Sequence, residues 1–170
     1  MDRKALSAAF PVTVPVLMGY LAIGIACGLM LQEIGYNFIW AFFMSLTIYA
    51  GSMQYVAVDL LSGGASLISA ALMTLVLNAR HLFYGLSMLE RYREAGKSKP
   101  YLIFSLTDET YSILVSTPPP SGVEAQRIWL AVSALNQMYW VVASAVGALL
   151  VGLGLAGCCS QPSEAEKVKI

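Results

Sequence analysis

The sequence predicts an all-α, polytopic integral-membrane helical bundle with about five apolar segments, some of them broken or re-entrant. Three observations carry that expectation. Of 170 residues, 58% are hydrophobic and only 12% are charged, against roughly 25% charged residues in an ordinary soluble domain. Mean hydropathy is +0.68. The apolar residues are gathered into runs, several long enough for a hydrocarbon core about 30 Å thick, which takes roughly 20 residues of helix.

The first run, 10–31, carries Pro11 and Pro15 near its start and then Gly19, Gly24 and Gly28. Gly24 and Gly28 are four apart and let another helix approach closely. The run is too long for the apolar core of a signal peptide and reads as a membrane helix. The second run, 38–61, is interrupted by Ala50-Gly51-Ser52, and Gly63-Gly64 separates it from the third, 65–89. Residues 90–100 form the clearest loop, with Arg91, Arg93, Lys97 and Lys99 beside Glu90 and Glu94. The fourth run, 101–116, is interrupted by Thr107-Asp108-Glu109-Thr110 and ended by Pro118-Pro119-Pro120, because proline cannot continue a helix. The last span, 128–155, carries Asn136-Gln137 and a small-residue stripe at Ala143, Gly147 and Val151. Residues 1–156 are expected to form one transmembrane domain, and 157–170 a polar, disordered tail.

Charge placement sets a parity problem. Basic residues favour the cytoplasmic side, which puts both Arg3-Lys4 and the 90–100 loop there. Three apolar runs lie between them, an odd number. At least one run is therefore expected to be broken or re-entrant, and the runs with an internal glycine or charge, 38–61 and 65–89, are the candidates. Such backbone is tolerated at membrane depth only against protein or a watery cavity.

The polar residues inside the runs are the candidate site. A guanidinium at membrane depth is costly and persists mainly where it faces a partner or a cavity. Arg80 lies within Asn78-Ala79-Arg80-His81, and His81 is the one histidine of the chain. On a continuous helix Asn78 and His81 share a face, and Arg80 aligns with Tyr84. Arg80 suits a carboxylate, and His81 a proton or a hydrogen bond; a structural pair locking two helices is the alternative. Asp108 and Glu109 are the natural counter-charges, on a helical face expected to hold Ser105, Asp108 and Ser112. The Gly51-Ser52 break, with Gln54 nearby, would expose a half-helix N-terminus able to hold an anion, or would serve close packing. Asn136-Gln137 fits hydrogen bonding between helices about as well as a functional role, and the tryptophans fit interfaces or packing.

Ten basic and ten acidic residues balance, which argues against a nucleic-acid partner. Cys27, Cys158 and Cys159 follow no metal-ligand or disulfide spacing and read as small apolar fillers; no cofactor or metal is expected. A hydrolase built from Ser52 or Ser87 with His81 is the weakest reading, since such pairs are defined by geometry rather than spacing. No enzymatic activity is expected.

Taken in order, the Pro- and Gly-bearing first span, Ile48-Tyr49-Ala50-Gly51-Ser52-Met53-Gln54, Arg80-His81-Leu82-Phe83-Tyr84-Gly85 and Leu106-Thr107-Asp108-Glu109 resemble the AzlC-type branched-chain amino-acid exporters of bacteria. The resemblance runs from about residue 10 to residue 148. It implies a multi-pass protein of the bacterial cytoplasmic membrane that exports branched-chain amino acids, usually with a small AzlD-type membrane partner. It also implies that Gly51, Ser52, Gln54, Arg80, His81, Asp108 and Glu109 occupy the family's characteristic positions. Family members continue through further hydrophobic segments after the region matching 128–155, so this chain is expected to be a shortened form. A non-transporting membrane assembly subunit or an inactive fragment is the alternative.

Overall fold

The computed structural model describes residues 3–64, 66–119 and 121–155. Within them the chain forms α1 (Arg3–Glu33), α2 (Phe38–Thr47), α3 (Gly51–Ser62), α4 (Leu67–Met88), α5 (Lys99–Phe104), α6 (Asp108–Ser116) and α7 (Ala125–Gly152), with short 3-10 turns at Arg91–Glu94 and Gly96–Ser98. No strand occurs among the described residues. The expectations placed on Cys158, Cys159 and the tail at 157–170 lie outside the described residues.

Helices α1, α4 and α7 are long and apolar enough to cross a membrane. The three others of eight or more residues are halves. At about 1.5 Å per residue, the 10 residues of α2 and the 12 of α3 each reach about half of a 30 Å core. The same holds for the 9 residues of α6.

Helices α1 and α7 form the spine, and small residues make it possible. A Cβ placed on Gly24 would lie 2.7 Å from the Cβ of Ala143. One on Gly28 would run into the carbonyl oxygen of Ser144, and one on Gly147 into that of Ile25. The two small-residue stripes read from the sequence are thus one interlocking seam, in which backbones touch and dispersion replaces the hydrophobic drive that lipid removes. Gly24 meets Ala143 and Gly28 meets Ala148, so the two helices run parallel. Pro11 and Pro15 lie inside α1 rather than at its start, because the helix already begins at Arg3.

Contacts along this spine orient everything else. Arg3 and Lys4 border a shallow cavity with Val123, Gln126 donates to the carbonyl of Ala95 at 2.8 Å, and Arg91 donates to that of Leu114 at 2.6 Å. The start of α1, the 90–100 loop, the end of α6 and the start of α7 therefore share one basic end. At the other end Leu31, Ala41, Val58 and Ala148 pack together. Ala41 begins α2 and Val58 lies late in α3, so the α2–α3 pair enters from that end and returns to it. The α5–α6 pair does the reverse: Ser98 beside Gln126 and Leu114 beside Arg91 are both at the basic end. Two opposed re-entrant hairpins thus meet at mid-depth, where the ring of Tyr49 lies 6.4 Å from that of Phe104.

This resolves the parity problem. The 38–61 run is the re-entrant one, whereas the other candidate, 65–89, holds an unbroken helix, α4. The guanidinium of Arg80 does not break this helix because it finds partners on the hairpin tips, Ser52 and Asp108. Its remaining surface is apolar and uncovered: Leu67 is 88% exposed and Val76 70%.

Candidate functional site

Where the hairpin tips meet, the structure encloses a cavity of about 280 Å³. Its charged wall comes from three elements. Arg80, on α4, donates from Nη1 to Oδ2 of Asp108 at 2.5 Å and from Nη2 to Oγ of Ser52 at 2.6 Å. One guanidinium thus ties the first turn of α3 to the first residue of α6. The Arg80 and Asp108 side chains are 39% and 38% exposed, so both face the cavity rather than being sealed in protein. Oδ1 of Asp108 has no hydrogen-bond partner. Glu109, next along α6, accepts from the hydroxyl of Tyr20 at 2.8 Å.

The two half-helix starts differ electrostatically. Helix α6 is capped by the Thr107 side chain, which accepts from the backbone N–H of Thr110, and it carries two acids in its first turn. Its positive end is already matched. Helix α3 starts at Ala50 with no side-chain cap, because alanine has no acceptor to offer. Its first N–H groups are the open donors of the site. Gly51 leaves room there for the indole of Trp140, which a Cβ would approach to 3.0 Å. Tyr49, just before the break, has φ +41°. The left-handed region costs a non-glycine residue about 1–2 kcal/mol, and this one is held there with only 3% of its surface exposed.

The opposite wall is apolar and aromatic, formed by Ile23, Tyr55 and Trp140. Trp140 donates from Nε1 to Oε1 of Gln54 at 2.6 Å, and its ring stands edge-on to that of Tyr20 at 5.2 Å. Behind the acids, a buried hydrogen-bonded chain runs from Tyr20 through Thr107 and Thr110 to Asn136. It fixes α6 against α1 and α7.

Gly51, Ser52, Arg80, His81, Asp108 and Glu109 all line this cavity. Three other candidates stand beside it. Gln54 is fully buried and reaches the cavity only through Trp140. Asn78 borders a neighbouring cavity of about 240 Å³ that shares Tyr49, Ala50 and His81 with the first. Tyr84 is stacked on Tyr111 at 4.8 Å and lies edge-on to His81 at 6.1 Å. The expected common face of Ser105, Asp108 and Ser112 does not form. The chain leaves helical geometry between α5 and α6, Ser105 turns back to bond the carbonyl of Tyr101, and Ser112 is exposed. Asn136 and Gln137 bond Thr110 and Tyr101, linking helices as expected. Tyr20, Tyr55 and Trp140 were not marked as site residues by the sequence, since an aromatic in an apolar run reads as packing.

Fold and site together define an α-helical, multi-pass membrane protein with a charged cavity at mid-depth between broken helices, the setting in which membrane proteins place small-solute sites. The chain belongs to the AzlC family: the family model described as AzlC protein matches residues 15–153. It is 43% identical to the branched-chain amino acid transport protein AzlC of Bacillus subtilis (strain 168) over 85% of this chain and 57% of the relative. An uncharacterized membrane protein of Helicobacter pylori (strain ATCC 700392 / 26695) is 44% identical over 86% of this chain and 64% of its own length. The inner membrane protein YgaZ of Escherichia coli (strain K12) is 30% identical over 80% of this chain and 57% of its own length. The chain thus spans less than two thirds of these relatives. No solved structure matches it.

Proposed function

We propose that the chain is the site-bearing part of a secondary transporter that exports branched-chain or other small apolar amino acids across the bacterial cytoplasmic membrane. The observation that carries this reading is the cavity itself. It sets Arg80 and the uncapped start of α3 close to Asp108 and Glu109, with Ile23, Tyr55 and Trp140 opposite. A zwitterion needs one cationic, N–H-rich partner and one anionic partner at short range, and its aliphatic side chain needs an apolar wall. A volume of about 280 Å³ falls just below the roughly 300–1,000 Å³ of sites for drug-sized ligands, which suits a small amino acid.

In this reading the substrate carboxylate takes Arg80 and the first N–H groups of α3, and the ammonium takes Glu109 beside Asp108. The side chain lies against Ile23 and Trp140. The basic end is cytoplasmic by its Lys and Arg content. Proton coupling falls to Glu109 or His81, and a small AzlD-type membrane protein is the expected partner. The name of the Bacillus relative, the membrane family and the site chemistry support the reading together.

The test is efflux from cells preloaded with valine-rich peptides and expressing the chain with its partner. Intracellular valine should fall faster than in control cells. Arg80→Gln and Asp108→Asn should each cut that efflux at least tenfold. Wild-type efflux from both variants would remove these residues from the mechanism, and no effect of the intact pair of proteins would remove the function.

A second reading is a non-transporting membrane assembly subunit. The uncovered apolar surface of α4 favours it, and purified chain that binds a partner yet shows no valine-dependent thermal shift would select it.

A further inference from the structure

Glu109 and Asp108 line two cavities, not one. Besides the central cavity, a second space of about 430 Å³ lies on the other side of the first turn of α6, between Val12, Pro15 and Val16 of α1 and Ser112 and Ile113 of α6. The two spaces point to opposite ends of the bundle. Ile23 and Tyr55 place the central cavity toward the end where Leu31, Val58 and Ala148 pack. Val12 to Val16 and Ile113 place the second toward the basic end, where Leu114 meets Arg91. What separates them is the start of α6.

On its cavity side that start is held by two side-chain bonds, each to a different long helix; behind it, Thr107 and Thr110 are bonded to Tyr20 and Asn136. Arg80 of α4 holds Asp108 at 2.5 Å, and Tyr20 of α1 holds Glu109 at 2.8 Å. The helix behind them is only 9 residues long, with non-helical backbone at Leu106-Thr107 before it and Pro118-Pro119 after it. A short rigid rod between two irregular joints can tilt as a unit, which a continuous span cannot do. The second cavity shares the two acidic residues with the first and lacks its cation: Asp108 and Glu109 border it together with Val12, Val16 and Ile113.

We propose that α6 is the moving gate of the path, that the Arg80–Asp108 and Tyr20–Glu109 bonds are its latches, and that the basic-end cavity is a second station for the ammonium and aliphatic side chain of the same amino acid. The proposal rests on the transport reading for its ligand, whereas the gate itself does not. An amino-acid carboxylate arriving at Arg80 competes directly with Asp108, and an ammonium arriving at Glu109 competes with the Tyr20 hydroxyl. Ligand in the central cavity therefore releases both latches. A ligand shifts an equilibrium by its differential affinity for the two states, and this exchange of partners supplies that difference.

The experiment is paired thiol accessibility in the full chain, with Cys27, Cys158 and Cys159 replaced by serine. Ile23→Cys reports the central cavity and Ser112→Cys the basic-end cavity; both positions are exposed. Alkylation rates are measured with and without valine, and again with Tyr20→Phe added, a change that removes the hydroxyl's bonds to Glu109 and Thr107 and keeps the ring. Valine should lower the rate at Ile23→Cys and raise it at Ser112→Cys, each at least threefold. Tyr20→Phe should raise Ser112→Cys at least twofold without valine.

If valine protects Ile23→Cys while Ser112→Cys ignores both valine and Tyr20→Phe, the gate is overturned and the substrate reading stands. If Tyr20→Phe opens Ser112→Cys but valine moves neither rate, the gate stands and the substrate reading falls. Rates unmoved at both positions under both treatments overturn the two together.

Discussion

The α1–α7 seam and the hairpin-tip cluster lie within one small bundle and are held by opposite means. At the seam, Gly24, Gly28 and Gly147 bring backbones into contact, and no side chain there has room to move. At the tips, Arg80, Ser52, Asp108, Tyr20 and Glu109 are joined by hydrogen bonds that open onto a cavity. Steric contact between backbones has one solution. Polar contacts have several, because water or a solute can stand in for either partner. The difference teaches where this protein is fixed and where it can change: the seam supplies the frame, and the exchangeable bonds sit on the short elements carried by it.

The sharpest break of that contrast is at the seam. Gly28→Val places carbons on the carbonyl of Ser144, which no rotamer can avoid. It should cost at least about 3 kcal/mol, at or above the top of the usual range for overpacking, and a melt in detergent followed by circular dichroism should show no folded transition. A stable Gly28→Val protein would mean that α1 and α7 are not locked together.

Gln54→Leu comes next. It leaves the buried Nε1–H of Trp140 without its acceptor, which should cost about 2 kcal/mol and shift tryptophan emission. Smaller again is the coupling between Arg80→Gln and Asp108→Asn. The pair is about two-fifths exposed, so solvent screening brings the double-mutant coupling down to about 1 kcal/mol. A coupling near 3 kcal/mol would make the latch a structural lock instead.

The smallest effect is expected on the outer face of α4. Leu72→Ala, at a side chain 59% exposed, should change stability by no more than about 0.5 kcal/mol. A larger loss in the presence of an AzlD-type protein than in its absence would mark that face as the contact.

Much of this was legible in the chain. Gly24 and Gly28, and Ala143 and Gly147, were visible as small-residue stripes because their spacing is helical. The charges of Arg80, Asp108 and Glu109 were visible because apolar runs have no ordinary use for them. Gly51 marked the break that makes α3 a half-helix. Tyr20, Tyr55 and Trp140 were hidden for the complementary reason: an aromatic residue in an apolar run is the commonest filling a membrane helix has. The face shared by Ser105, Asp108 and Ser112 failed because helical periodicity was carried across Leu106-Thr107, where the backbone is not helical. Thr107 caps the helix that follows, and a threonine ahead of two acids is a start signal that could have been read as one.

By itself, then, the sequence determined the medium, the runs, the small-residue faces and the cost that its buried charges must meet, since each follows from local composition and spacing. Only the tertiary structure decided which stripe meets which, that the broken runs enter from opposite ends, and that Arg80 reaches Ser52 and Asp108, each 28 positions away in the chain. The physical reason is range. Propensity, hydropathy and capping act over a few residues, whereas the site exists only where three distant segments end at the same depth and one guanidinium can satisfy two of them.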